Sequence, residues 1–396
     1  MEKTGLKTKT TIGTVLTILC VIFLSANLRA AITSVGPVLR EISDYLGLSN
    51  IQAGLVTTIP LLSFGLLSGF VPGVSRKLGM EKVLFFSLLL LTIGLGVRIS
   101  GSIHLLFAGA ALVGAAITAG NVIMPAFIKK EFPNQVGLMT GLYSVAMNLT
   151  AALAAGFSIA IGQHTGWGWR GSIGVWALLA FISVIVWLPK AWKKKEEDSI
   201  LPTASHKSLF KSGLAWNITI FMGLQSLLFY CVVAWLPAVL VSWGMTKEDA
   251  GWTLSYVQMA QLPVTFIGSV VANKMKSQQL LVWMTGVLMA IGILLLIVFK
   301  TQFVVLAVII IGIAGGLAFS LAMMFFILRT KNSQTAASLS GMAQSFGYLL
   351  AATGPPIFGL LHDFTDDWTI SFYFLLGIIA ALIYVGVNAS RNRVIG

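Results

Sequence analysis

The sequence predicts an all-α membrane protein with twelve transmembrane helices in two pseudo-symmetric six-helix bundles. Three observations carry that prediction. Hydrophobic residues make up 57% of the 396 residues and charged residues only 10%, with a mean hydropathy of +0.91; a water-soluble domain needs more polar surface than this. Twelve apolar runs approach the ~20 residues that a spanning helix needs. The cations gather on one side of the loops that join those runs.

The expected spans follow in order. Thr11–Leu39 is too long for the apolar core of a signal peptide and no small-residue cleavage site follows it, so it reads as a retained helix. Ile51–Pro72, Val83–Ile99, Ile103–Ile128, Val136–Ile161 and Ser172–Leu188 complete a first set of six. Leu214–Val241, Ala250–Ala272, Leu280–Val298, Phe303–Leu328, Ala336–Leu361 and Ile370–Val387 make a second. Between the sets lies the longest hydrophilic stretch, Lys190 to Lys211, which contains Lys193-Lys194-Lys195-Glu196-Glu197-Asp198 and reads as a solvated linker. The expected organisation is therefore 1–189, a six-helix bundle; 190–211, a cytoplasmic linker; and 212–396, a second six-helix bundle.

With twelve alternating spans and the N-terminus in the cytoplasm, 20 of the 26 Lys and Arg residues fall on the cytoplasmic side. Acids divide almost evenly, as expected when Lys and Arg alone orient the chain. The net charge of +13 thus records membrane orientation, and nucleic acid is not an expected partner. A multi-pass protein of the lipid bilayer with both termini inside is the expectation from this charge pattern. Trp167, Trp169, Trp187, Trp192, Trp243 and Trp368 fall at predicted helix ends, where an aromatic belt sits.

Arg29 stands out within this frame. It lies inside the first span, and a cation at that depth costs ~2.5–3.5 kcal/mol on insertion scales. None of the 13 Asp and Glu residues falls within a predicted span. Two readings stand. Arg29 binds a mobile anion, or it is a structural plug paired with helix carbonyls. Ser25, Arg29, Thr33 and Gly36 share one helix stripe. Asn27 lies about 200° from Arg29 on an ideal helix, so as a candidate ligand contact it competes with a role bracing a neighbouring helix. Arg98, near an outer end, is expected to snorkel to headgroups.

The halves resemble copies displaced by 200 residues. Pro37 matches Pro237, Thr140-Gly141 matches Ser340-Gly341, and Leu149, Ala151 and Ala152 match Leu349, Ala351 and Ala352. Two such repeats place a substrate site between them near mid-membrane. Thr140, Ser144 and Asn148 align with Ser340, Gln344 and Tyr348 at that offset. Gln225, Tyr230 and Trp235 in the seventh span, Gln258 and Gln261 in the eighth, and Asn121 in the fourth join them as candidates, with Tyr143 among the aromatic ones. Each competes with plain interhelical hydrogen bonding. Glycines and alanines in spans four and ten (Gly109, Gly114, Gly120, Gly312, Gly315, Gly316) favour close helix packing over any phosphate loop.

Enzyme chemistry is not expected. His104, His164, His206 and His362 sit in loops or at span ends without metal-ligand spacing, and no carboxylate pair lies at depth for acid–base work. Cys20 and Cys231 read as small apolar residues, so neither a disulfide nor a metal or other cofactor is expected.

These residues resemble the major facilitator superfamily, and within it the cyanate permease and 2-nitroimidazole transporter family. The resemblance is carried by Asn27-Leu28-Arg29-Ala30-Ala31-Ile32-Thr33-Ser34-Val35-Gly36-Pro37, by Gly120-Asn121-Val122 with Pro125, by Phe132-Pro133 and Thr140-Gly141-Leu142-Tyr143, and by Gln225-Ser226, Phe229-Tyr230 and Trp235-Leu236-Pro237. Two departures are visible. Ala30 stands where the family often has proline, and the superfamily turn between spans two and three has Arg76 at its usual acidic position and Met80-Glu81 at its basic pair. The resemblance implies a bacterial inner-membrane protein working as a monomer, one polypeptide alternating between outward-open and inward-open states around a single small-molecule site. Arg29 with polar groups from both halves suits a small monoanion such as cyanate; the alternative is export of neutral or aromatic compounds such as nitroimidazoles. Proton coupling, if present, would enter with the substrate or through an end-located acid, namely Glu41, Glu131 or Asp363; uniport and exchange stay equally open.

Overall fold

The computed structural model describes residues 11–48, 50–192 and 209–395. The central part of the expected linker, with Lys193–Asp198, His206 and Lys207, lies outside these, as do Lys3, Lys7 and Lys9. The described chain is helical nearly throughout, with a single isolated bridge between Thr330 and Ile395.

The first half comprises α1 (Thr11–Thr33), α2 (Leu39–Leu46), α3 (Asn50–Leu67), α4 (Val71–Leu78), α5 (Met80–Arg98), α6 (Ile103–Glu131), α7 (Val136–Thr165) and α8 (Trp169–Ala191). The second comprises α9 (Gly213–Ser242), α10 (Lys247–Lys274), α11 (Gln279–Phe299), α12 (Val304–Leu328), α13 (Ser333–Ala352), α14 (Gly354–Thr365) and α15 (Trp368–Ala389). Among the described residues, ten helices are individually long and apolar enough to cross a membrane. An eleventh crossing is a broken one, in which Thr58–Leu67 and Val71–Leu78 meet at 64°. Pro72 stands in the first turn of the second piece, where its missing N–H and fixed φ suit a helix start and not a helix interior.

Two expected spans differ from the structure in instructive ways. The first helix stops at Thr33, and a 3₁₀ turn at Gly36–Val38 follows, because Gly36-Pro37 cannot extend the hydrogen-bond ladder. The expected Ala336–Leu361 span is divided into α13 and α14 at Thr353. Pro355 and Pro356 supply no N–H groups, so the chain starts a new helix there. The α13 sequence, SQTAASLSGMAQSFGYLLAA, is also the more polar of the two pieces.

Helix neighbours repeat between the halves. In the first, α1 packs on α7 and α8, α5 on α6 and α8, and α3 on α6. In the second, α9 packs on α13 and α15, α11 on α12 and α15, and α10 on α12. Each first-half pair has its counterpart, as expected of two copies of one bundle. Outward faces carry large apolar side chains such as Leu178, Phe181 and Ile185, which suit lipid and not water.

The halves meet where α7 crosses α10 and where α13 crosses α3, α4 and α6. Two glycines at the 200-residue offset make close approaches. A Cβ on Gly141 would stand 2.7 Å from the Phe266 ring, and one on Gly341 would stand 2.6 Å from Pro72 Cγ and 2.8 Å from the Ser68 carbonyl. Both lie toward the end of the molecule at which α6 and α12 terminate, with Lys129, Lys130 and Arg329. At that basic end the halves are shut against one another.

Candidate substrate site

Away from the basic end the halves separate around a cavity of about 290 Å3. Its walls come from both. Helix α1 supplies Leu28, Arg29, Ile32 and Thr33; α6 supplies Asn121; α7 supplies Tyr143, Met147 and Ala151. Across from them stand Phe229, Tyr230 and Val233 of α9, Gln258 of α10, Phe319 and Met323 of α12, and Gln344 and Tyr348 of α13.

Arg29 reaches this space because one helix turn brings it under Thr33 on the inward stripe. Its Nη1 donates to Asn148 Oδ1 at 2.6 Å. Its guanidinium carbon lies 5.6 Å from the Phe229 ring centroid and 5.4 Å from that of Phe319, within cation–π range. No Asp or Glu is among the wall residues. Aromatic faces and one amide oxygen therefore take the place of a counter-ion. Thr33 Oγ1 is directed elsewhere, to the carbonyls of Arg29 and Ala151 at 3.1 Å each, and fastens α1 to α7.

A polar chain crosses between the halves beside Arg29. Tyr143 donates to Asn121 Oδ1 at 3.2 Å. Gln344 Nε2, from the other half, donates to the Asn121 backbone carbonyl at 3.0 Å and to Ser340 Oγ at 2.9 Å. Tyr348 packs against Phe64, with ring centroids 5.3 Å apart. A smaller chamber of about 40 Å3 opens off the same region. Arg29, Phe229, Tyr230, Phe319 and Tyr348 border both spaces, and Gln225, Ser226, Gln261 and Gly315 belong to the chamber.

Asn27 and Trp235 are not brought to either space, which corrects the reading of both as ligand contacts. Asn27 Nδ2 donates to Ser183 Oγ and to the Phe23 carbonyl, both at 2.7 Å; the 200° separation from Arg29 turns it toward α8, as a brace. Trp235 Nε1 donates to the Pro355 carbonyl at 2.8 Å, and its ring packs on Phe358 and Trp368, so it secures α14 against α9. The expectation for Arg98 also fails. It is 1% exposed and donates to the Ala31 carbonyl at 2.9 Å, which ties α5 to α1. Phe64 and Phe319 line the cavity without having been singled out in the sequence, because a phenylalanine in an apolar run carries no signal of the face it occupies.

The end-located acids are engaged. Glu131 accepts from Lys190 Nζ at 2.7 Å, each side chain about 9% exposed, and Lys190 also reaches Thr17 Oγ1 at 2.9 Å. Glu41 Oε1 accepts from the Trp169 backbone N–H at 2.9 Å. Asp363 lies 3.5 Å from His362 Nδ1 with its side chain 78% exposed.

Both the sequence and the fold are matched by known proteins. Residues 18–352 match the Major Facilitator Superfamily. This chain belongs to that superfamily. It is 41% identical over 376 residues to the uncharacterized transporter YycB of Bacillus subtilis, covering 95% of this chain and 93% of that protein. It is 33% identical over 375 residues to the 2-nitroimidazole transporter of Escherichia coli, covering 94% and 95%. With the cyanate transport protein CynX of Escherichia coli it shares 24% over 377 residues, covering 95% and 97%. Among solved structures, the proton:xylose symporter XylE bound to 6-bromo-6-deoxy-D-glucose superposes with a TM-score of 0.80, at 12% identity and 98% coverage of both chains. The protein is a multi-pass membrane transporter, not an enzyme.

Proposed function

We propose that this major facilitator protein carries a small planar solute with an anionic or strongly electron-rich end, docked on Arg29, by alternating access. The observation that carries the proposal is Arg29 on the wall of a cavity built by both halves and free of carboxylates. A cation so placed is costly unless a ligand charge answers it. Cyanate, named in one relative, satisfies the charge and planarity, though a three-atom ion leaves much of the ~290 Å3 to water. Nitroimidazoles, named in another relative, fill more of it, with nitro oxygens in the anion's place. The aromatic walls Phe64, Tyr143, Phe229, Tyr230, Phe319 and Tyr348 favour flat solutes of that kind. Thr33, Asn121, Asn148, Gln225, Gln261 and Gln344 complete the proposed polar surround, some acting through a neighbour.

The reading includes a cytoplasmic basic end, since Lys and Arg orient membrane chains. Both termini and the 190–211 linker then lie inside, between bundles 1–189 and 212–396, and the monomer suffices because one chain builds the whole cavity.

Ligand-induced thermal stabilisation of the purified protein tests the proposal, since binding to the native state raises stability by mass action. The panel is cyanate, nitrate, small aromatic carboxylates and 2-nitroimidazole, with Arg29→Gln alongside. Stabilisation that disappears in the variant supports the anchor. Stabilisation by neutral aromatics that persists in it moves the assignment to export of neutral compounds and leaves Arg29 a structural role.

A further inference from the structure

The chamber beside Arg29 holds a group and not a molecule. At about 40 Å3 it admits one or two water-sized groups. Most of its wall is apolar, from Leu228, Val232, Val257, Met289 and Ile311. Into it projects the side chain of Gln261, which is 3% exposed and whose Oε1 has no hydrogen-bond partner. A buried amide oxygen without a donor is rare in a native structure and asks for an explanation. Its neighbours do not provide one. The amide nitrogen of Gln225, across the chamber, is taken up by Ser226 Oγ at 2.6 Å and the Met222 carbonyl at 3.2 Å. Gly315 forms part of the floor, and a Cβ placed there would meet nothing nearer than Gln261 Oε1 at 4.0 Å. The oxygen is thus buried, without a hydrogen-bond partner, at a largely apolar chamber that Arg29 also borders.

We infer that Gln261 Oε1 is a specificity determinant that selects substrates carrying a hydroxyl or ring N–H donor next to the end held by Arg29. The inference rests on the function proposed above and narrows its substrate class to planar hydroxy-acids and N–H heterocycles. The body of such a solute lies between the aromatic walls of the larger cavity. Its electron-rich end meets Arg29, which borders both spaces. Its donor enters the chamber and meets Gln261. A site that buries an acceptor in this way discriminates against analogues that lack the donor, because binding them leaves the acceptor buried and unanswered. Simple inorganic anions gain nothing from the chamber.

The test compares matched ligands that differ only in the donor, bound to full-length protein in detergent and followed by calorimetry. One series is benzoate with 2-, 3- and 4-hydroxybenzoate; the other is 2-nitroimidazole with its 1-methyl derivative. In the native protein at least one donor-bearing ligand is expected to bind about 10-fold more tightly than its donor-free partner. Gln261→Met, similar in volume, is expected to reduce that ratio to within about 2-fold. Gly315→Ala, whose methyl would stand 4.0 Å from Gln261 Oε1 and narrow the chamber, is expected to reduce the same ratio. The inference is overturned if no donor confers an advantage, or if the advantage survives in both variants. Arg29→Gln separates the two levels. Arg29-dependent binding with no Gln261-dependent ratio sinks the inference alone. Binding indifferent to Arg29, or absent throughout both series, sinks the proposed function with it.

Discussion

Lys129 Nζ, at the end of α6, lies 2.6 Å from the carbonyl oxygen of Ile327 at the end of α12. It also donates to the Thr330 carbonyl and to Thr330 Oγ1. One ammonium thus places its donors on the carbonyl-rich terminus of a helix in the opposite half, where a cation is favoured by the helix dipole. Arg329 occupies the equivalent position 200 residues on, yet it stays within its own half. It donates to the Ala389 and Ser390 carbonyls at 2.9 and 2.7 Å and to Gln278. The repeat supplied two cations, and only one of them bridges the halves.

Lys129→Met is expected to favour the state open at the basic end by roughly 10-fold, given the ~1.5–3 kcal/mol typical of charged hydrogen bonds. Cys20 and Cys231 are both buried, so a cysteine introduced at Asn273, on the α7–α10 contact, reports the change as faster thiol labelling. Unchanged labelling would mean that Lys129 does not hold the end shut.

Gly341→Ala is expected to open the same end more strongly than Gly141→Ala. The new methyl at 341 meets a proline ring and a backbone carbonyl, whereas at 141 it first meets the Phe266 side chain, which has a rotamer to give. The Asn273 label orders the two variants, and the reverse order would refute the argument.

Asn27→Ala is expected to lower stability by about 0.6–1.7 kcal/mol, the range for interhelical hydrogen bonds in membranes, and to leave ligand affinity unchanged. Thermal melts with and without ligand separate these effects. A loss of affinity without a loss of stability would return Asn27 to the substrate.

Glu131→Gln is expected to destabilise the protein by about 3 kcal/mol, because it leaves Lys190 buried without its carboxylate. Where uptake by the parent depends on protons, that dependence is expected to persist in this variant. Loss of that dependence at undiminished expression would make Glu131 a proton carrier.

Asp367 sits at the start of α15, and hydrogen bonds from Thr369 hold its carboxyl below the ordinary carboxylate range. A depressed native value contributes stability that is complete above about pH 4 and is lost as pH falls through that value. Melting temperature compared between pH 3 and pH 6 should therefore fall less in Asp367→Asn than in the parent. Equal falls would remove the capping acid from the acid response.

The helices, their order and the doubled architecture were legible because apolar length and Lys/Arg placement are local signals. Arg29 was conspicuous as a cation in an apolar run, and the structure puts it on the cavity wall with Tyr143, Gln344 and Tyr348. What could not be read was which neighbour each polar group would find. Asn27, Trp235 and Arg98 share the composition of a binding residue, but Ser183, the Pro355 carbonyl and the Ala31 carbonyl engage them. Conversely, Phe319 and Phe64 face the cavity only through the rotation of their helices about their axes, and helices apolar on every side leave no amphipathic record of that rotation. The division of the expected Ala336–Leu361 span was written plainly in Pro355-Pro356.

Arg29 also bears on voltage. On the function proposed above, an empty cavity would move past the membrane field with one positive charge on its wall, and a cavity holding a monoanion with none. A full elementary charge crossing the field is worth ~2.3 kcal/mol per 100 mV, so even a fractional displacement makes the unloaded return the step that responds to membrane potential. With a cell interior negative, that potential draws the vacant site inward, and the arriving anion discharges it. The guanidinium would then act as a rectifying element as well as an anchor, biasing which side of the membrane the carrier waits on.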